Sequence, residues 1–163
     1  MEIRRTRPSD ASSIAEIILP IFREGSTYAI DPDISEADAL AYWFSPEKET
    51  FVAEDGAAIV GTYYMRANQG GGGRHVCNCG YVTKATATGR GIARAMCLHS
   101  LGHARSRRYL AMQFNFVVST NERAVRLWQS LGFEIVGRLP GAFRHPTQGF
   151  VEALVMYQRI QQP

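Results

Sequence analysis

Residues 86–96 read TATGRGIARAM, with two glycines, Gly89 and Gly91, and two arginines, Arg90 and Arg94, at the entrance to an amphipathic helix. Glycine costs a helix about 1 kcal/mol relative to alanine, so an entrance of this composition calls for a compensating role. The first N–H groups of any helix have no internal partners, and together with the helix dipole they attract anions. Glycine lets a phosphate come close to those groups, and the arginines add positive charge beside them. Two readings stand at this point: a phosphate site, or a glycine turn that only joins a strand to a helix.

The flanking sequence supplies the strand and helix that a phosphate site needs. HVCNCGYVT at 75–83 patterns as a strand, and the helix runs from the quoted stretch to Arg105, Arg107 and Arg108, whose charge suits a helix C-terminus. YLAMQFNFVV at 109–118 is the next strand, with Leu110, Met112, Phe114 and Phe116 on one face and Gln113 and Asn115 on the other. NERAVRLWQSL at 121–131 is a helix closed by Gly132, and FEIVGRL at 133–139 and FVEALVMYQRI at 150–160 are two closing strands.

Upstream, QGGGGR at 69–74 is a flexible connection, and TFVAE and AAIVGTYYMRA form a hairpin turned at Asp55-Gly56. Before them come a short strand at 3–6 and a helix begun near Pro8 and Asp10, with Ile14, Ile17, Ile18 and Ile21 at helical spacing. A polar loop, REGSTYAIDPD at 23–33, then leads to a second helix that Ser35-x-x-Asp38 caps and that ends near Ser45-Pro46. The order is strand, two helices, three strands, helix, strand, helix, two strands. It predicts an α/β (α+β mixed) fold in one domain over 1–163, a mixed, mostly antiparallel sheet of about seven strands with flanking helices.

A chain of 163 residues, 45% hydrophobic and 20% charged, can bury one substantial core. Its apolar runs fall well short of the roughly 20 residues of a membrane span, and MEIRRTRPSD lacks the apolar segment of a secretion signal. No membrane partner and a cytoplasmic location are therefore expected. Cys77, Cys79 and Cys97 are an odd set without a second pair to complete a zinc site, and His99 and His103, one helical turn apart, lack a third ligand in reach, so no metal is expected. A net charge of +3 suits an anionic ligand but is too mild and too dispersed for a nucleic-acid binder.

Familiar phosphate motifs fit the glycine stretch unequally. A P-loop needs Gly-Lys-Ser/Thr where Gly91, Ile92 and Ala93 stand, and a dinucleotide fingerprint needs glycine at the position of Arg94. The stretch resembles instead the acetyl-CoA pyrophosphate loop of the GNAT N-acetyltransferases, Gln/Arg-x-x-Gly-x-Gly/Ala, with Gly91 and Ala93 in its last two defined positions. STNERAVRLWQSLGFEIVG is similar to the same family's later motif, through Asn121, Ala124 and Leu131-Gly132-Phe133.

The resemblance implies a GNAT fold in which CNCGYVT and MQFNFVV run parallel and splay apart around the pantetheine arm of acetyl-CoA. It implies that strand backbone at Tyr81, Val82 and Thr83 pairs with that arm. Thr88, Gly89, Arg90, Gly91, Ile92, Ala93 and Arg94 would hold the pyrophosphate, and Asn121 would bond to pantetheine. Two positions depart from the family pattern. Thr88 stands where Gln or Arg is usual, with Arg90 the candidate substitute, and Trp128 stands where a Tyr often protonates the departing thiolate. Indole cannot supply that proton near neutral pH, but a thiol of pKa about 8.5 leaves without help, so transfer would be slowed and not abolished.

On the acceptor side, Asn78 and Asn115 lie on the two strands expected to splay, among apolar neighbours where an unpaired carboxamide is costly; they are candidates to orient the amine or a water. Glu24, Thr27 and Tyr28 occupy the loop that walls the acceptor site in GNATs, with Glu24 a candidate proton acceptor. REGSTY is similar to the same region of phosphinothricin-type and amino-acid acetyltransferases. Tyr63 and Tyr64 point to opposite faces of a strand, so that one lines the acceptor pocket, with Tyr63 assigned to it, and the other packs inside. Arg144 and His145, read as a loop before the last strand, are candidates to meet a substrate carboxylate. The resemblance thus implies direct acetyl transfer in a ternary complex to a small amine, an amino acid or its analogue, in a chain compatible with a homodimer. An acyl-CoA sensor without activity and a protein or peptide N-acetyltransferase are the rival readings.

Overall fold

The computed structural model describes residues 1–161. Seven strands form one sheet: β1 (Glu2–Arg5), β2 (Glu49–Asp55), β3 (Ala58–Ala67), β4 (Val76–Thr83), β5 (Ala111–Val118), β6 (Glu134–His145) and β7 (Gly149–Arg159), in the spatial order β1-β2-β3-β4-β5-β7-β6. Neighbours are antiparallel except β4 and β5, which are parallel. Four helices cover the faces: α1 (Ala11–Glu24), α2 (Glu36–Trp43), α3 (Ile92–Ser106) and α4 (Glu122–Ser130). None is long and apolar enough to cross a membrane.

Local chemistry sets the element ends. Ser35 Oγ accepts from the Asp38 N–H at 3.1 Å and donates to the Asp38 carboxylate at 2.6 Å, closing the start of α2. At the sheet edge, the Arg4 guanidinium donates to Asp10 at 2.8 Å and Glu54 at 2.9 Å, tying β1, α1 and β2 together. The Arg4 bond, with a second from the Arg7 N–H, holds the Asp10 carboxyl below the usual carboxylate range.

Because strand side chains alternate, the sheet carries a core on each face. Phe51, Tyr63, Met65 and Cys77 pack under α3 and α4, while Val52, Tyr64 and Val82 pack under α1 and α2 with Phe22 and Trp43. Trp43 Nε1 donates to Thr62 Oγ1 at 3.0 Å, which satisfies the indole inside that second core.

Two features depart from the sequence reading. The β5–β7 register shifts between Phe114 and Val117. The irregularity breaks the alternation expected for 109–118: Phe114 is buried, whereas Phe116 is half-buried on a cavity wall. In addition, β6 continues past Leu139 through Pro140 to His145, so Arg144 and His145 lie in a strand and not in a loop. Proline is tolerated there because β6 is the edge of the sheet, and its pairing shifts between Leu139 and Phe143.

Candidate active site

The parallel strands β4 and β5 pair only at Val76↔Ala111 and Cys77↔Met112; beyond that point they diverge. Alternation along β4 decides which backbone groups face the gap. Asn68 N–H donates to Val76 O and Lys84 N–H to Val60 O, which makes Val82 a hydrogen-bonded partner of β3 and turns Tyr81 and Thr83 toward β5. Of the three β4 positions expected to meet pantetheine, Val82 therefore has its main chain committed to β3. Its side chain lines the cavity instead. The Tyr81 carbonyl, facing the gap, accepts from the Tyr28 hydroxyl at 3.0 Å.

A cavity of about 580 Å³ opens from the gap across the start of α3. Gly89 and Gly91 adopt φ of +89° and +76°, left-handed values that favour glycine, and they turn the chain into the helix. Gly91 is the N-cap and contributes no side-chain cap. Among the described residues, no protein acceptor takes the N–H groups of residues 89–94; the first bond of α3 is Ala95 N–H to Gly91 O. Thr88, Gly89, Gly91, Ile92, Ala93 and Arg94 line this cavity, with Thr83 and Asn121. Arg90 does not: it pairs with Asp55 at the end of β2. Arg123 and Arg126 of α4 line the cavity in its place. The Arg123 guanidinium lies 3.7 Å from where a Cβ on Gly89 would be.

A second cavity of about 280 Å³ lies on the α1–α2 face and reaches into the same gap. Thr27, Asn121, Ala124 and Trp128 line both cavities, so the two meet there. Asn121 caps α4 by accepting from Ala124 N–H at 3.4 Å. The capping uses its oxygen and leaves its amide N–H₂ for a ligand. Trp128 is 8% exposed and packs at ring distances of 5.1 Å from Tyr81 and 5.3 Å from Phe114, a fixed apolar partition.

Asn78 and Asn115 line this second cavity and are fixed from behind, Asn78 by a main-chain carbonyl and Asn115 within a chain of three carboxamides. Asn78 Nδ2 donates to Gln113 O at 2.9 Å, Gln113 Nε2 donates to Asn115 Oδ1 at 2.9 Å, and Asn115 Nδ2 donates to Asn68 Oδ1 at 2.7 Å. Thr27, Tyr28 and Tyr64 complete the polar wall, and Tyr64 OH lies 3.3 Å from Tyr42 OH. Gly80 stands opposite Tyr64 on the neighbouring strand, and a Cβ there would come within 2.6 Å of the tyrosine ring. Glycine is thus what allows Tyr64 to lie across the sheet.

No carboxylate or imidazole lines this cavity among the described residues. Burial pushes the Tyr28, Tyr64 and Tyr81 phenols above the ordinary tyrosine range, so they keep their protons. The cysteines are buried and free. Burial raises Cys79 well above the usual thiol value and Cys97 to about 12, which leaves neither as a thiolate near neutral pH.

Three expected acceptor residues stand elsewhere. Tyr63 is fully buried on the opposite face of β3, stacked on Phe51 at 4.8 Å with its hydroxyl 2.7 Å from His99 Nδ1; strand alternation gives the cavity to Tyr64. Glu24 is exposed at the end of α1, where it accepts from Ser26 Oγ at 2.7 Å. Arg144 is exposed on edge strand β6 opposite Phe150. His103 Nε2 lies 3.0 Å from Glu49, so it and His99 each belong to the packing of α3 on the sheet.

The pattern of the acetyltransferase (GNAT) family matches residues 12–133. The chain belongs to that family. This GNAT N-acetyltransferase is 28% identical to N-acetyltransferase aca1 of Schizosaccharomyces pombe over 80% of its own length and 71% of the relative's. A GCN5-related N-acetyltransferase from Kribbella flavida superposes with a TM-score of 0.93 at 38% identity, covering 97% of this chain and 96% of that one. A phosphinothricin acetyltransferase from Sinorhizobium meliloti, solved in complex with AcCoA, shares the fold at a TM-score of 0.86 and 19% identity, over 98% of this chain and 88% of that one.

Sequence reasoning missed Arg66, Asn68, Gly80, Arg123 and Arg126. Arg123 and Arg126 had a usable signal, their i,i+3 spacing on the helix that opens with Asn121. Arg66 follows Tyr64 by two, and therefore shares its face of β3.

Proposed function

We propose that this acetyltransferase uses acetyl-CoA to acetylate the amine of a small amino acid or close analogue by direct attack in a ternary complex. The observation that carries the reading is the meeting of two unlike cavities in one strand gap: a row of main-chain N–H groups without protein acceptors, flanked by arginines, and a smaller cavity lined by carboxamides, tyrosines and one arginine. The residues present fit the cofactor. The N–H groups of 89–94 with Arg94, Arg123 and Arg126 would hold the pyrophosphate, and Thr83 and Asn121 the pantetheine arm. When bound, acetyl-CoA supplies an activated thioester.

The chain's own residues then have limited tasks. The Tyr81 N–H, turned into the gap, donates to the oxygen that gains charge during transfer. Asn78 and Asn115 orient the incoming amine through carboxamides already fixed by their neighbours. Trp128 excludes water where the cavities meet. Since no lining group is a base at neutral pH, the ammonium proton leaves through water, and turnover should rise with pH toward the amine's own pKa.

The test is CoA release over a panel of amino acids, simple amines and peptides. Saturable turnover on small amino acids is expected. Tight acetyl-CoA binding with no turnover on any amine supports a sensor instead, and preference for peptides supports a protein N-acetyltransferase.

A further inference from the structure

The acceptor cavity contains one charged side chain, Arg66, and no acidic one among the described residues. Arg66 sits opposite Asn78 on the neighbouring strand, so both side chains share the face that walls the chamber. It is half-buried, its Nε is buried without a hydrogen-bond partner, and it enters no ion pair among the described residues. This is unusual company for an arginine. The guanidinium cannot shed its charge, and burying it uncompensated is costly. Other partly buried cations in this chain are served: Arg4 has two carboxylates, and Lys48 donates to the Tyr42 carbonyl while its ammonium lies 3.5 Å from the Tyr42 ring centre.

The surroundings say which counter-charge is wanted. Lys48 stands beside the same wall, over the Tyr64 ring at 4.3 Å, and burial, with the like charge of Arg66 as a lesser cause, lowers it to about 8. Glu47, the nearby acid, is exposed and accepts from Ser45 Oγ at 2.9 Å; its own backbone N–H and Ser45 hold it below the usual carboxylate range, with the charge of Arg66 a minor cause, but it forms no ion pair with Arg66. The chamber therefore presents a fork of donors and a positive field with nothing anionic in it. A guanidinium fork matches the two oxygens of a carboxylate. Asn78, the Arg66 partner, lies three residues from Tyr81 on β4, a strand distance of about 10 Å. Arg66 and Tyr81 line the same chamber, so a carboxylate held at one and an amine reacting at the other belong to a compact molecule.

We propose that Arg66 anchors the substrate carboxylate, so that the acceptor is a compact α-amino acid and not an amine lacking a carboxylate, an inference that rests on the transferase reading above. Arg66 is thus a specificity residue of the acceptor site. It takes the role that the sequence assigned to Arg144.

The test compares α-amino acids with their primary carboxamides, in turnover and in calorimetric titration of the CoA-saturated protein. The wild type is expected to favour the acid over the amide by about 100-fold in kcat/KM, the worth of a charge-assisted bidentate contact. Arg66→Gln should erase that preference through KM, Arg66→Lys should keep part of it, and both should bind acetyl-CoA like the wild type, which certifies their fold. Equal use of acid and amide by the wild type, or an equal loss on both in Arg66→Gln, would overturn the anchor. If amines without a carboxylate are acetylated and α-amino acids are not, transfer stands and the anchor falls. If amino acids bind in an Arg66-dependent way and no amine is ever acetylated, the anchor stands and the transfer reading falls.

Discussion

The two cavities that meet at Trp128 are built on opposite principles. The larger is centred on one short segment, residues 88–94, whose main-chain N–H groups have no protein acceptor, with walls from α1, the α1–α2 loop, β4 and the arginines of α4. The smaller is made of side chains drawn from the α1–α2 loop, α2, β3, β4, β5 and α4, held by a chain of carboxamides. Main-chain N–H groups are the same whatever the residue, so the first cavity depends on backbone conformation and tolerates changes of side chain. The second depends on the identity and direction of each side chain, and single substitutions there should alter which amine is used while leaving the donor alone.

The strongest way to break this contrast is Gly91→Asp. The substitution sets a carboxylate beside the N–H groups that would meet the diphosphate, so like charge should repel the ligand. Acetyl-CoA affinity is expected to fall about 100-fold by calorimetry, equivalent to about 2.7 kcal/mol, with a modest loss of melting temperature because the left-handed φ of +76° strains any side chain. Unchanged affinity would remove the phosphate role from the loop.

Gly80→Ala probes the other side. Its Cβ would press within 2.6 Å of the Tyr64 ring, which Trp43 holds in turn at 5.0 Å. Overpacking of about 2 kcal/mol corresponds to a rise of about 30-fold in acceptor KM, with acetyl-CoA affinity near normal. A parallel loss of donor affinity would mean that the cavities are not separable.

Asn115→Ala removes the centre of the carboxamide chain and should lower kcat about 10-fold while leaving the donor Kd alone. Activity equal to the wild type would reduce Asn115 to a packing role. The smallest effect is expected for Arg123→Ala, an exposed cation beside Gly89. Donor affinity should weaken about 3-fold at low salt and less at high salt, where the Debye length shortens. An effect insensitive to salt would point to packing and not to charge.

The legibility of the site follows the same division. The seven strands and four helices appear in the expected order, because apolar periodicity, caps and turn residues act over a few positions. The extension of β6 was missed because Pro140 reads as a strand end unless the strand is known to be an edge. Tyr63 and Tyr64 were correctly placed on opposite faces, yet only pairing with β4 and packing beneath α2 or α3 decides which face meets the cavity. Glu24 lies three residues from Thr27, but the loop turns Thr27 into the chamber and leaves the acid in solvent.

What the sequence determined by itself was the family fold and the anion-holding mouth of α3, since both are written in contiguous residues whose chemistry depends on near neighbours. Tertiary structure alone decided that Arg90 turns away to Asp55, that Arg123 and Arg126 come to the mouth in its place, and that Arg66 stands without a counter-charge in the acceptor chamber. Those outcomes depend on how β3 pairs with β4 and on how α4 and the β2–β3 hairpin sit beside the mouth of α3, contacts between residues far apart in the chain.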